Sequence, residues 1–309
     1  NEGMTEVLAL LIGVLYFLIF MMGAAIFSFL NVVIYRVPKQ LNFVKGASFC
    51  PSCGHELRLC DMVPVFSYIF LRGKCRYCKT HIPVRDTLTE ILGGILAVAT
   101  VLRFGSPEGI IGASSNSAAI AAEGISTGAA AVSTDIFDYA AGVLTGAGGT
   151  SALLRILTVF AYLCVLEIVA FVDHDTMEIP NGFIIAMLVV AVVSFFTFPE
   201  ITIPERLIGF VCTSGPLFLI TLAIPGAFGG GDIKLLAACG LFLGWKLSLV
   251  ALFLGILTGG IWGIVLLASK KAGRKDHFAF GPFLCFGLAF AAFFGTALIA
   301  WYMGFAFPA

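Results

Sequence analysis

Residues 153–172, LLRILTVFAYLCVLEIVAFV, decide the fold, because only Arg155 and Glu167 interrupt 20 apolar or uncharged positions. A helix of that length rises about 30 Å, which is the thickness of a bilayer's hydrocarbon core. Comparable runs lie at 8–34, 88–102, 183–198, 207–224, 235–243, 249–268 and 283–303. Hydrocarbon offers the backbone no hydrogen-bond partners, so runs that cross it must be helices. The whole chain is 60% hydrophobic and 12% charged, about half the charge of an ordinary soluble domain. The expected fold is an all-α polytopic membrane protein with about eight transmembrane helices. The run at 235–243 is too short to fix its own boundary.

Net charge is zero, yet the charges are unevenly placed. Nine of the 18 Lys and Arg fall between Arg36 and Arg85, offset only by Glu56, Asp61 and Asp86. A second basic group is Lys270, Lys271, Arg274 and Lys275. Excess Lys and Arg in short flanking loops marks the cytoplasmic side. With both basic segments inside, eight helices alternate without conflict, both termini fall outside, and the loops at 173–182 and 225–232 fall inside. The expected location is a membrane with both basic segments at its cytoplasmic face. Membrane lipid is a partner this pattern suits, and nucleic acid is not.

The chain divides into five regions. Residues 1–35 hold the first transmembrane helix, 36–86 a polar Cys-rich insert, and 87–104 the second helix. Residues 105–151 are Gly, Ala, Ser and Thr with few charges, which reads as a low-complexity external loop. Residues 152–309 form a six-helix block with short loops.

The insert carries Cys50-Pro51-Ser52-Cys53 and, 21 residues later, Cys75-Arg76-Tyr77-Cys78. Two thiolate pairs with two-residue spacing supply a closed tetrahedral set, the pattern of a structural zinc site. Gly54 and Gly73 sit beside the pairs, where knuckle turns need unusual backbone angles. A segment this small has little core, and metal binding supplies folding energy. Redox-active or incidental thiols are the alternative. His55 and Cys60 read as bystanders. Cys164, Cys212, Cys239 and Cys285, scattered through helices, read as small apolar side chains.

Charge near membrane depth is costly and usually functional. Two acidic clusters meet that description: Asp173-His174-Asp175-Thr176-Met177-Glu178-Ile179-Pro180-Asn181, and Gly229-Gly230-Gly231-Asp232-Ile233-Lys234. Orientation from the basic segments alone puts both at the cytoplasmic face. Two neighbouring carboxylates hold one proton between them, the ionised member activating water and the protonated one donating to a carbonyl. That is peptide hydrolysis by an aspartic dyad, Asp173 with Asp232, without a metal or covalent intermediate. The glycines before Asp232 allow close backbone approach. Taken alone, either aspartate is as readily a helix-end cap. Lys234 snorkels to the interface or pairs with an aspartate, and Glu167 is expected to hydrogen-bond a neighbouring helix. An ion-coupled transporter and a non-catalytic zinc-organised scaffold are the competing readings. Against the transporter, no inverted repeat is evident and the acids lie at one membrane edge.

Taken together, these motifs resemble the type IV prepilin peptidases, the bifunctional leader peptidase and N-methyltransferase family of GxGD-type aspartic proteases. Gly229 to Lys234 is similar to the family's GxGDxK signature. The run from Asp173 through Ile179-Pro180-Asn181 is similar to its first aspartate motif, which makes Asp173 rather than Asp175 the catalytic member. The run from Ser28 to Pro38 resembles the N-terminal signature. The cysteine quartet, with Pro64-Val65-Phe66-Ser67-Tyr68 and Leu71-Arg72-Gly73 between its pairs, resembles the cytoplasmic zinc domain. Phe280-Gly281-Pro282-Phe283 resembles the run before the last helix. Departures are Cys60 in place of Trp, Asp86-Thr87 in place of an aromatic residue and Pro, and Asn181 in place of the commoner Asp. The resemblance implies catalytic Asp173 and Asp232, with Gly229, Gly230, Gly231, Lys234 and Pro180 supporting them. It also implies structural zinc on Cys50, Cys53, Cys75 and Cys78, and a prepilin or pseudopilin substrate cut after the glycine ending its leader. The new N-terminus would then be methylated from S-adenosylmethionine. Which residues bind that cofactor is not legible.

Overall fold

A computed structural model describes residues 2–42, 48–50, 52–105, 149–224, 228–269 and 279–306. Most of the expected external loop and the basic group at 270–275 lie outside the described residues. The described chain is helical, apart from turns and two isolated bridges in the Cys-rich insert. It divides into two compact units, Asn1–Leu102 and Arg103–Ala309.

In the first unit, α1 (Glu2–Arg36) and α3 (Val84–Phe104) flank the insert, which holds the short α2 (Phe66–Phe70). Only the second half of α1 is covered, through Ala24, Phe27, Leu30, Val33 and Ile34. The cover is α3, which approaches closely because Gly23 and Gly93 meet at the crossing: a methyl group on Gly23 would lie 2.6 Å from Ala97 Cβ. Small residues at such a crossing let helices pack where lipid supplies no hydrophobic drive. At the end of α1 nearest the insert, Asn31 Nδ2 donates to Thr89 Oγ1 at 2.7 Å and to the Asp86 carbonyl at 3.2 Å.

The second unit contains α4 (Gly149–Thr176), α5 (Asn181–Thr197), α6 (Ile203–Ala223), α7 (Gly230–Ala268) and α8 (Gly281–Ala306). α6 opens with a capping box, Thr202 N–H donating to Glu205 Oε2 at 3.0 Å while Thr202 Oγ1 accepts from Glu205 N–H. α7 is interrupted at Gly244, with φ 73° and ψ 172°, a conformation side chains rarely adopt. The interruption folds the helix back. Asp232, near its start, feels the charge of Asp173, and Asp173 is bonded to Gly281. Gly259, 27 residues further on, lies against Phe280, whereas a straight helix would carry it about 40 Å away.

Six helices are long and apolar enough to cross a membrane, and α5 is a shorter apolar one. Counting α5 and the two arms of α7 separately gives eight apolar helical segments among the described residues, in a multi-pass membrane protein. The turn between the two arms is Gly244 alone, because the second arm is already helical at Trp245.

The arms and helices of the second unit pack through glycines. Gly209 on α6 and Gly240 on the first arm face each other backbone to backbone, and Gly255 on the second arm lies against Leu284 of α8. Tyr162 of α4 stacks on Phe242 with ring centroids 4.2 Å apart. This packing puts the ends of α4, α7 and α8 that carry Asp173, Asp232 and Gly281 together.

Candidate active site and metal centre

α4 ends three residues past Asp173, where Met177 takes a positive φ of 55° and breaks the helix. Asp173 is buried, 6% exposed, while Asp175 is exposed to solvent. The N–H of Gly281, the first residue of α8, donates to Asp173 Oδ2 at 2.9 Å. A methyl group on Gly281 would sit 2.5 Å from that oxygen, so the contact needs a residue without a side chain. Asp232 occupies the first turn of α7 and is also 6% exposed. Its carboxylate accepts from the Gly229 N–H, which is the helix-capping role, and it lies within electrostatic reach of Asp173. Asp232 Oδ1 is buried and has no hydrogen-bond partner among the described residues. Cys285, one turn into α8, lies in the field of both carboxylates.

The supporting residues divide by what they touch. A side chain on Gly231 would collide with Ile179, at 2.8 Å from its Cβ, so close approach does require glycine there. Gly230 faces open space, and packing gives no reason for it. Pro180 precedes α5 in extended geometry, φ −59° and ψ 135°. Lys234 Nζ donates to Asn181 Oδ1 at 3.1 Å, so it ties the two acidic motifs together rather than pairing with an aspartate. Phe228 and Phe280 meet edge to face at 5.6 Å, joining the segments that lead into α7 and α8. For Glu167 the structure corrects the expectation: both carboxyl oxygens are buried without a hydrogen-bond partner among the described residues.

Sequence reasoning gave no role to Gly281 or Arg206. Gly281 carried a signal, a Gly-Pro pair at a helix start, but nothing to say which carboxylate its N–H would meet. Arg206, 1% exposed, sits at the end of the unit opposite the aspartates. Its guanidinium donates to the carbonyls of Ser194 (3.0 Å), Phe198 (2.7 Å) and Leu241 (2.8 Å) and to Ser194 Oγ (2.6 Å), while Nε reaches the Ile201 carbonyl at 3.1 Å. One cation thus gathers carbonyls where α5 ends and where α7 breaks, those of Ser194 and Phe198 accepting backbone N–H groups as well.

In the first unit, Cys50, Cys53, Cys75 and Cys78 place their sulfurs within 4.8 Å of one another, a set that could hold a metal ion. The two pairs are built alike. Cys50 N–H donates to the His55 carbonyl and Cys75 N–H to the Thr80 carbonyl, each across five residues. Gly54 and Lys79 N–H groups return to the Cys50 and Cys75 carbonyls, and both residues have positive φ, 69° and 60°. Bridges between Phe49 and Glu56 and between Lys74 and His81 frame the two knuckles. Gly73 has positive φ as well, but it ends α2, its N–H donating to the Tyr68 carbonyl at 2.9 Å. The His55 ring lies tilted over Tyr77 with centroids 3.6 Å apart and is no part of the sulfur set. Arg76 Nε is paired with Asp61 Oδ1 at 2.6 Å, fastening the second knuckle to the 59–61 turn.

The Thr80 hydroxyl, 3.3 Å from Cys78 Sγ, stabilises the thiolate and lowers Cys78 to about 6. For Cys53 the hydrogen bond from the His55 backbone pulls down, but lost hydration and the neighbouring Cys78 and Cys50 sulfurs prevail and push it up to about 11. The donor set suits zinc. A tetrahedral site with Zn–S of about 2.3 Å needs sulfurs about 3.8 Å apart, and Cys50 and Cys78 are 3.8 Å apart.

Fold and site together define a polytopic helical membrane protein with two buried carboxylates at one helix end and a four-cysteine insert. A family model described as the Bacterial Peptidase A24 N-terminal domain matches residues 21–104, and one described as the Type IV leader peptidase family matches residues 160–264. The prepilin leader peptidase/N-methyltransferase of Burkholderia pseudomallei strain 1026b is 30% identical over 300 residues, covering 89% of this chain and 84% of its own. The protein of that name from Aeromonas salmonicida strain A449 is 27% identical over 324 residues, covering 94% of each chain. Its namesake from Bacillus subtilis strain 168 is 25% identical over 288 residues, covering 93% of this chain and 97% of its own. No solved structure matches the chain. The chain belongs to the type IV prepilin leader peptidase/N-methyltransferase family.

Proposed function

We propose that this protein removes the leader of type IV prepilins or pseudopilins at the cytoplasmic face of the bacterial inner membrane, with Asp173 and Asp232 as the catalytic pair, and then methylates the new N-terminus. Family membership supports the activity. The observation that carries the site is Asp232 Oδ1, buried without a hydrogen-bond partner among the described residues beside a second buried carboxylate. In the proposed step the ionised aspartate takes a proton from water as its oxygen adds to the scissile carbonyl. The protonated aspartate donates to that carbonyl's oxygen, giving a neutral tetrahedral diol. Collapse of the diol passes a proton to the leaving nitrogen, and the pair returns to one shared proton. The Gly281 N–H fixes Asp173 Oδ2, which leaves its other oxygen for this exchange.

For the second reaction, S-adenosylmethionine would supply an electrophilic methyl group for the newly freed, neutral amine, departing as S-adenosylhomocysteine while the amine loses a proton. Zinc on the four cysteines would be structural, since thiolates fill all four positions and leave none for water. The orientation rests on the basic residues of 36–86.

The test is cleavage of a prepilin-like peptide in detergent by wild type, Asp173→Asn and Asp232→Asn, with product masses read over time. Wild type should release the leader and then add one methyl mass when S-adenosylmethionine is present. Each folded variant should lose at least about 10²-fold in cleavage rate. Normal cutting by either variant removes that aspartate from the mechanism, and no cutting by folded, zinc-loaded wild type leaves the transporter reading.

A further inference from the structure

α3 has 21 residues, about 32 Å of helix, scarcely more than the roughly 30 Å of hydrocarbon it has to cross. Its embedded part begins no earlier than Thr87, after Arg85 and Asp86, and Glu90, three residues along, lies about 5 Å below that edge. The Val65 N–H donates to Glu90 Oε2 at 2.7 Å. The loop that starts α2 is thereby held at the depth of Glu90, inside the boundary of the bilayer.

Beyond that anchor the segment is apolar and uncovered. None of the five residues of α2 is buried. Ile69 is 61% exposed and Phe70 79%, with Phe66 and Val63 exposed beside them, and the Phe66 and Phe70 rings stack 6.5 Å apart. Leu88, two residues from Glu90 on α3, is exposed at the same level. Immediately after α2 the chain turns cationic, with Arg72, Lys74 and Lys79. Backbone at membrane depth must have its polar groups satisfied within the protein, and this segment meets that demand. α2 closes its own hydrogen bonds, and the Val65 N–H, turned outward by a φ of 64°, is taken by Glu90.

We propose that residues 63–70 are an interfacial re-entrant element, placing Val63, Phe66, Ile69 and Phe70 among the acyl chains while Arg72 and Lys74 meet anionic headgroups. A lipid surface matches both halves of the segment, apolar side chains at depth and cations at the rim. The cysteine knuckles then rest on the bilayer rather than standing free in water, and the insert is located by lipid as well as by its two helical connections. This inference depends on the membrane-spanning fold and not on the protease reading.

The experiment uses the full-length protein in nanodiscs of phosphatidylethanolamine and phosphatidylglycerol. The variants Phe70→p-benzoylphenylalanine and Ile69→p-benzoylphenylalanine are irradiated beside Lys79→p-benzoylphenylalanine as the solvent-side control. Adducts of phospholipid mass, mapped to the 69–70 peptide and absent at position 79, are the expected result. Crosslinks from 69 and 70 to another part of this chain, to a second copy or to added prepilin would instead assign the face to protein. That result, or equal lipid labelling at all three positions, overturns the proposal.

Discussion

A carboxylate at the third position of a helix ordinarily satisfies an orphan N–H of the first turn. Asp232 does so with one oxygen, through Gly229, yet its other oxygen is buried without a hydrogen-bond partner among the described residues. Leaving a polar atom in that state costs about 1–3 kcal/mol, which a purely structural cap would avoid by facing water. Asp173 is held differently, by the N–H of a helix more than 100 residues away. Gly281→Ala should therefore act on chemistry before stability: the added methyl would meet Asp173 Oδ2 and push the carboxylate off its position. Displacement near 1 Å can cost about 10²-fold in rate, so cleavage of a prepilin-like peptide should fall by about that factor, with unfolding temperature in detergent little changed. A variant that cleaves normally would show that Asp173 does not need this anchor. Both aspartates were legible in the sequence, because a charge at the end of an apolar run is conspicuous. The N–H of Gly281 was not, since every helix start has free N–H groups and only packing says what they face.

At the scale of elements, the break in α7 is the feature on which the second unit turns. Gly244 holds a backbone conformation nearly closed to other residues, and Arg206 donates to carbonyls there and at the end of α5. Gly244→Ala should cost about 1–3 kcal/mol, seen as a lower unfolding temperature. Arg206→Met should cost more, on the order of 3–5 kcal/mol, because several buried carbonyls lose their only side-chain donor. Arg206→Lys should recover little of that loss, since an ammonium cannot span the same fork of acceptors. Equal stability of Arg206→Met and wild type, measured in the same detergent, would refute the bracing role. The short apolar runs at 235–243 and 249–268 already implied a reversal between them. The buried arginine left no mark in the sequence, where it reads as one charge opening an apolar run.

For the molecule as a whole, the two compact units and the location of the sulfurs in the first predict separable behaviour. Stripping the metal with a chelator, or replacing Cys75 with Ser, should raise hydrogen exchange across 48–82 while α4 to α8 keep their protection. Matching loss of protection in α7 would contradict the division. Zinc takes thiolates, so its binding competes with protons. With Cys53 near 11 and Cys78 near 6, uptake at about pH 7 should release a proton from Cys53. Affinity should weaken more steeply once pH falls below about 6, where Cys78 also protonates. Competition with a zinc-binding dye across that range would check the sign, and affinity independent of pH would contradict it.

Sequence alone determined the solvent in which the chain folds, since run length and missing charge leave only helices in lipid. It also singled out the four cysteines that the fold gathers into one set, because two-residue spacing builds each knuckle locally. It singled out the two acidic motifs as well, because charge at membrane depth needs a reason. Tertiary structure decided what those motifs touch: Asp173 on Gly281, Lys234 on Asn181, Arg206 on two helix ends. It decided too that the Glu167 carboxyl has no hydrogen-bond partner among the described residues. The physical reason is one of range. Helix formation and cysteine knuckles are written in residues a few positions apart, whereas these contacts join residues brought together only when glycines let one helix backbone rest against another.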